Sequence, residues 1–137
     1  MRVHILARGR IGRGPEAELV ARYAVRVPGF AVTELGERDP FPAVPERAVS
    51  IVLDERGTAL PSPALAARLA AWADEGVRET RFLIGAADGH DDATRAGATL
   101  LLSLGPATWP HLLVRAMLAE QLYRAVSINA GHPYHRG

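Results

Sequence analysis

The chain has 137 residues, 48% of them apolar, with 16 Arg, no Lys, 15 acidic residues, no Cys and a net charge of +1. That length supports one domain with a buried core, and the lack of Cys excludes disulfides, thiolate catalysis and Cys-ligated zinc. No stretch approaches the apolar length of a membrane span, and the short, charged start Met1–Ala7 lacks the apolar core of a secretion signal, so the expectation is a single cytoplasmic domain over 1–137.

In chain order, Val3–Ala7 reads as a strand, followed by a loop punctuated by Gly9, Gly12 and Gly14. Pro15 to Arg26 reads as a helix, with Pro in its first turn and Leu19, Val20 and Tyr23 on one face. Ala31–Leu35 is a second strand, and 36–46, with three Pro, is a loop. Ala48–Leu53 is a buried strand ending at Asp54, and Ser62 before Pro63 is expected to cap a helix running to about Glu75. Thr80–Ile84 is a strand running into Gly85, Asp91 or Asp92 starts a short helix, and Thr99–Ser103 is a further strand. Pro110 to about Ile128 is the longest helix, and the chain closes on Gly131-His132-Pro133-Tyr134-His135-Arg136-Gly137.

Alternation of strands and helices, with continuously apolar inner strands, predicts an α/β fold: a mostly parallel sheet with helices on both faces. Ligands of such sheets sit beyond the carboxyl ends of the strands, which directs attention to Leu53-Asp54, Ile84-Gly85 and Ser103-Leu104-Gly105. Gly85-Ala86-Ala87-Asp88-Gly89 is either an ordinary tight turn or a place where backbone approaches a ligand. Leu104-Gly105-Pro106-Ala107-Thr108-Trp109-Pro110 is either a pocket wall of backbone donors or a Pro-punctuated loop with Trp109 in the core. The Gly9–Gly14 loop matches neither the dinucleotide nor the P-loop spacing, leaving a solvated loop or a basic loop touching nucleic acid. Asp88–Asp92 reads as a helix cap rather than a metal site, and the spacing of His111, His132 and His135 is not diagnostic of a metal.

Charge is unevenly spread: residues 1–15 carry four Arg and no acid, residues 16–92 eight Arg against fourteen acids, and residues 93–137 four Arg against one Glu. Two basic ends that meet in space would suit a polyanion, although exclusive use of Arg also follows from a GC-rich genome. Glu120 and Arg124 stand four apart on the last helix, in the favourable order for an ion pair. That pair is either a solvated surface pair or the support of a catalytic Arg beside the His/Tyr/Arg tail.

Taken together, Ile5-Leu6-Ala7-Arg8-Gly9, Val52-Leu53-Asp54, Phe82-Leu83-Ile84-Gly85, Ala107-Thr108-Trp109-Pro110-His111, Leu122-Tyr123-Arg124-Ala125 and His132-Pro133-Tyr134-His135-Arg136 resemble the RlmH-type methyltransferases. These belong to the SPOUT class of knotted α/β enzymes and act on a pseudouridine in large-subunit ribosomal RNA. The resemblance implies a C-terminal trefoil knot, a feature that patterning would not propose. It also implies a homodimer, S-adenosyl-L-methionine as cofactor, and transfer to N3 of the pseudouridine on assembled ribosomes. It implies no metal, membrane or DNA. By motif, the cofactor pocket would take Leu53, Gly85, Leu104, Gly105, Pro106, Ala107, Thr108 and Trp109. His135 or Tyr134 would position the base or handle its proton, Arg136 and Arg124 would hold phosphate or developing negative charge, and Glu120 would orient Arg124. Ala86 stands for a usual Gly, Gly131 for a frequent Asn, Gly105 or Pro106 for a usual Ser, and 36–46 is short where other members carry a charged helix. A SPOUT enzyme acting on another RNA, or a non-catalytic RNA-binding or ribosome-assembly protein, are the competing readings.

Overall fold

The computed structural model describes residues Met1–Arg136. The chain runs β1 (Arg2–Arg8), α1 (Pro15–Ala24), β2 (Phe30–Leu35), β3 (Ala48–Ala59), α2 (Ser62–Asp74), β4 (Glu79–Ile84), α3 (Asp92–Ala96), β5 (Leu100–Ser103) and α4 (His111–Asn129), and closes with a 3-10 turn at Pro133–Arg136. The strands form one five-stranded sheet in the order β2-β1-β4-β3-β5, every pair parallel. All carboxyl ends therefore lie on one edge, which gathers the loops after Arg8, Leu53, Ile84 and Ser103.

Alternate residues of the central strands face opposite ways. Val3, Ile5, Phe82, Ile84, Ile51 and Leu102 point to one face, where they bury against Leu65, Leu69 and Trp72 of α2 and Leu118, Leu122 and Ala125 of α4. α1 joins this layer through Val20, packed with Ala116 and Ala119 of α4. Leu6, Val52 and Leu83 point to the other face, which is covered more thinly by Phe41 of the Pro-rich segment and by Ala98 after α3. The three longer helices thus share one layer, and the other face is covered by the Pro-rich segment and by residues near the short α3, which buries none of its own residues.

Two local expectations change. Ser62 does not cap α2: Pro61 is the capping residue, and the freed Ser62 hydroxyl donates to Gln121 Oε1 at 2.6 Å, tying α2 to α4. β3 does not stop at Leu53. Leu102 of β5 pairs with Leu53 and again with Thr58. A strand residue has only two hydrogen-bonding edges, so these partners flank β5 on opposite sides and Asp54–Gly57 passes across it. The chain clasps its own edge strand. Gly57 is required there: a Cβ at that position would stand 2.6 Å from the carbonyl carbon and oxygen of Leu101.

The thinner face carries buried polar groups. His4 bonds Thr33 Oγ1 through Nε2 at 2.7 Å, and Arg81 holds Glu79 at 2.6 Å and the carbonyls of Pro42 and Ala43 at 3.0 Å each. His90 is buried against Phe41 with Nε2 3.2 Å from the Leu83 carbonyl. Burial, more than any neighbouring charge, lowers the pKa of both imidazoles below the ordinary 6.5. The unfolded chain then takes up protons that the folded chain refuses. Stability is therefore lost as pH falls below the unfolded value and toward the lowered folded ones. The thermal midpoint is expected to drop as pH is lowered from about 7 to about 5.5, and to drop less in His90→Gln. Equal drops in the two proteins would remove His90 from this account.

Candidate active site

The loops at the carboxyl edge enclose a cavity of about 560 Å³, within the range of small-molecule and cofactor sites. Of the expected cofactor residues, Leu53, Gly85, Leu104, Gly105, Ala107, Thr108 and Trp109 line it, and Pro106 does not. The Gly85–Gly89 turn, closed by Gly89 N–H donating to the Ala86 carbonyl at 2.9 Å, forms one wall; the Leu104–Pro110 loop forms another. Trp109 is 42% exposed, at the mouth of the cavity rather than in the core. Gly105 adopts φ +109°, a backbone state open to glycine and strained for other residues.

The clasp supplies the third wall. Asp54, Glu55 and Arg56 line the cavity together with Arg95, His90 and His111; of these, only Asp54 stood at a strand end that the sequence had marked. Asp54 accepts from Arg95 Nε at 2.6 Å and from Arg56 N–H at 2.8 Å. Burial works against its charged form, but the Arg95 hydrogen bond and the Arg56 amide outweigh that and hold its carboxyl below the usual range. Thr108 Oγ1 donates to Glu55 at 3.1 Å. These bonds bind the clasp to α3 on one side and to the Leu104–Pro110 loop on the other, so the cavity lies where these three segments meet. The signal for Asp54 was available in the sequence, as an acid directly after an apolar strand; nothing there pointed to Arg95.

The expected catalytic residues form a second assembly. Glu120 Oε1 accepts from Arg124 Nε at 2.8 Å. Tyr134 packs on Tyr123 with centroids 4.5 Å apart, receives the Arg124 guanidinium 4.9 Å from its ring centre, and donates to Glu120 at 3.4 Å. Burial first, then hydrogen bonding with Tyr23 and the Glu120 charge, push the Tyr134 pKa up to about 12, which leaves its oxygen protonated at neutral pH. His135 Nδ1 lies 2.8 Å from the His132 carbonyl. A carbonyl only accepts, so Nδ1 is the donor here, and in the neutral ring Nε2 is the nitrogen that carries the lone pair. Arg136 follows at the end of the 3-10 turn. No group of three or more His, Cys, Asp or Glu able to hold a metal occurs among the described residues.

The two assemblies do not meet within the chain. Val114 is the last α4 residue on the cavity wall, and Arg124 lies ten positions further along, about 15 Å at the helical rise. Between them runs a second, mostly apolar groove of about 590 Å³, walled by Leu19 and Tyr23 of α1, by Met117 and Glu120 of α4, and by the segments 59–62 and 103–105. Leu104 and Gly105 line both hollows.

A parallel sheet whose edge strand is crossed by its own chain, with a cavity at the crossing, is consistent with the knotted α/β fold that the sequence resemblance implies. Comparison with known proteins agrees. The family described as "Predicted SPOUT methyltransferase" matches residues 37–135. Proteins named "Ribosomal RNA large subunit methyltransferase H" are 60% identical in Novosphingobium aromaticivorans, 59% in Erythrobacter litoralis and 58% in Rhizorhabdus wittichii, each match covering 99% of both chains. The chain belongs to the SPOUT methyltransferase family, and it is a methyltransferase. No helix among the described residues is long and apolar enough to cross a membrane.

Proposed function

We propose that this protein methylates N3 of a pseudouridine in large-subunit ribosomal RNA, on assembled ribosomes in the cytoplasm, with S-adenosyl-L-methionine as methyl donor and as a homodimer. The observation that carries this reading is full-length identity near 60% to proteins named as large-subunit ribosomal RNA methyltransferases, in a chain that keeps both the cavity and the tail.

The cavity suits the donor. Leu53, Leu104 and Trp109 offer apolar surface for an adenine, backbone along Gly85 and Gly105–Trp109 offers polar partners, and the charged pairs at the clasp offer partners for an amino acid moiety. When bound, S-adenosylmethionine supplies a methyl group already activated by its sulfonium, so no metal is needed. The chain's own residues must then hold the base in line, keep water out and take the N3 proton. His135 Nε2 has the free lone pair for that proton. Tyr134, locked in its protonated form, is suited to positioning rather than to proton removal. Arg124, held by Glu120, and Arg136 supply positive charge for a phosphate or for the charge that develops on the base.

A homodimer reconciles the two assemblies. In a two-fold pair the same surface is used by both subunits, and the apolar groove beside α1 and α4 would seat a second copy. Packed there, each subunit's tail would serve the other's cavity across Leu104 and Gly105, the residues common to both hollows.

The test is methyl transfer from labelled S-adenosylmethionine to ribosomes from a strain without the endogenous activity, with free ribosomal RNA and transfer RNA alongside. Label in N3-methylpseudouridine of ribosomes is the expected product. Label confined to transfer RNA would replace the substrate, and donor binding without any transfer would favour a non-catalytic RNA-binding role.

A further inference from the structure

The Gly9–Gly14 loop does not enter the mechanism above, yet its backbone is anchored from beneath. Arg115 of α4 is 1% exposed. It donates to the Gly9 carbonyl at 3.1 Å and pairs with Glu34 at the end of β2. Glu34 in turn accepts from Ile11 N–H at 2.8 Å. That amide first, and Arg115 second, lower the Glu34 pKa, so its charge is committed beneath the loop. Burying a guanidinium is costly unless it is fully paired, and Arg115 Nε has no partner. What this arrangement secures is the position of the loop.

Above these anchors the loop presents Arg10 and Arg13. Both are exposed, and neither makes a side-chain hydrogen bond or ion pair among the described residues. The loop also abuts the cavity rim: a Cβ placed on Gly9 would stand 3.8 Å from Nε2 of His111, which lines the cavity beside exposed Trp109. Arg8, at the root of the loop, is occupied otherwise, over the Phe41 ring at 4.4 Å and donating to the Asp39 carbonyl at 3.1 Å. The free cations are thus confined to the two outward positions. A guanidinium binds phosphate oxygens in a fork, and a fixed pair of them at the rim suits a polyanionic strand.

We propose that Arg10 and Arg13 form a binding site for backbone phosphates of the substrate RNA next to the target nucleotide, with Arg115 as the positioning residue that holds the loop. The site deepens the ribosomal RNA reading and rests on it. Arg10 and Arg13 set affinity and placement of the strand, while the cavity and tail set chemistry.

The test is RNA binding, not turnover. Affinity for assembled ribosomes is measured against salt for the wild-type protein and the double variant Arg10→Ala/Arg13→Ala. Two lost phosphate contacts lower the salt slope by about 1.4 to 1.8, so the wild type loses roughly tenfold more affinity than the variant between about 50 and 200 mM salt. Donor affinity is expected to stay the same in both. Arg115→Gln is expected to lower the slope likewise and to add nothing in the triple variant, whereas a scaffold role alone would leave the slope of its folded fraction unchanged. A double variant with wild-type slope and affinity overturns the proposal. Because binding is read directly, absence of methyl transfer by the wild type would overturn the substrate reading separately.

Discussion

Gly57→Ala is expected to destabilise the protein by about 3 kcal/mol or more, as an added methyl group is driven into rigid backbone, a loss of roughly ten degrees in Tm for a chain of this size. The Cβ would stand 2.6 Å from Leu101 carbonyl atoms, and backbone on both sides is fixed by pairing with β5, so neither partner can turn aside as a flexible side chain would. Affinity for S-adenosylmethionine should fall with it, because Asp54, Glu55 and Arg56 of the same crossing line the cavity. Gly97→Ala is the control. Its φ is −82° and the nearest atom to an added Cβ is 3.5 Å away, so stability should hold or rise by about 0.4–1 kcal/mol. Thermal denaturation and calorimetric titration of both variants decide the matter. If Gly57→Ala proves as stable as Gly97→Ala, the crossing is not the tight point of the fold.

Removing the tail from Pro133 onward is expected to lower kcat by roughly 10²–10⁴-fold, the range for loss of a positioned proton acceptor. Donor binding should change little, since the tail packs on Tyr123, Arg124 and Glu120 rather than on the cavity. Mixing then distinguishes a site within one chain from a site shared by two. The tail-less protein keeps its cavity; Gly105→Val keeps its tail but forces a β-branched residue into φ +109° on the cavity wall. In an equal mixture of exchanging subunits half the dimers are mixed, and each has one complete shared site, so activity recovers to about a quarter of wild type. No recovery, with mixed dimers demonstrated by sedimentation, would mean that the tail serves its own chain.

Much of this molecule is written locally. Strands and helices follow from apolar runs, alternation and the Pro and Gly breaks, which depend on neighbours a few residues away. Asp91 caps α3, accepting from Thr94 N–H at 2.8 Å, and Glu120 pairs with Arg124 one helical turn on, both as spacing requires. The landmarks of the cavity also stood out, because ligands of parallel sheets collect at strand ends and those ends are legible as apolar runs that stop.

Tertiary structure decided what depends on distant partners. Glu55-Arg56-Gly57-Thr58 has the composition of a loop, yet Thr58 and Ala59 resume strand pairing because β5 offers a free edge there. Ser62 has the position of a cap, but Gln121 competes for its hydroxyl across 59 residues. Arg115 is one Arg among many in the sequence, and only the approach of Gly9, 106 residues earlier, makes it a buried anchor. The tail shows the division most clearly. Its residue types announce chemistry, while their separation from the cavity arises from the length and direction of α4. Periodicity and spacing report the contacts a residue makes with its own element. The crossing of β5, the buried ion pairs and the separation of cavity from tail arise between elements, where the chain meets itself only after it has folded.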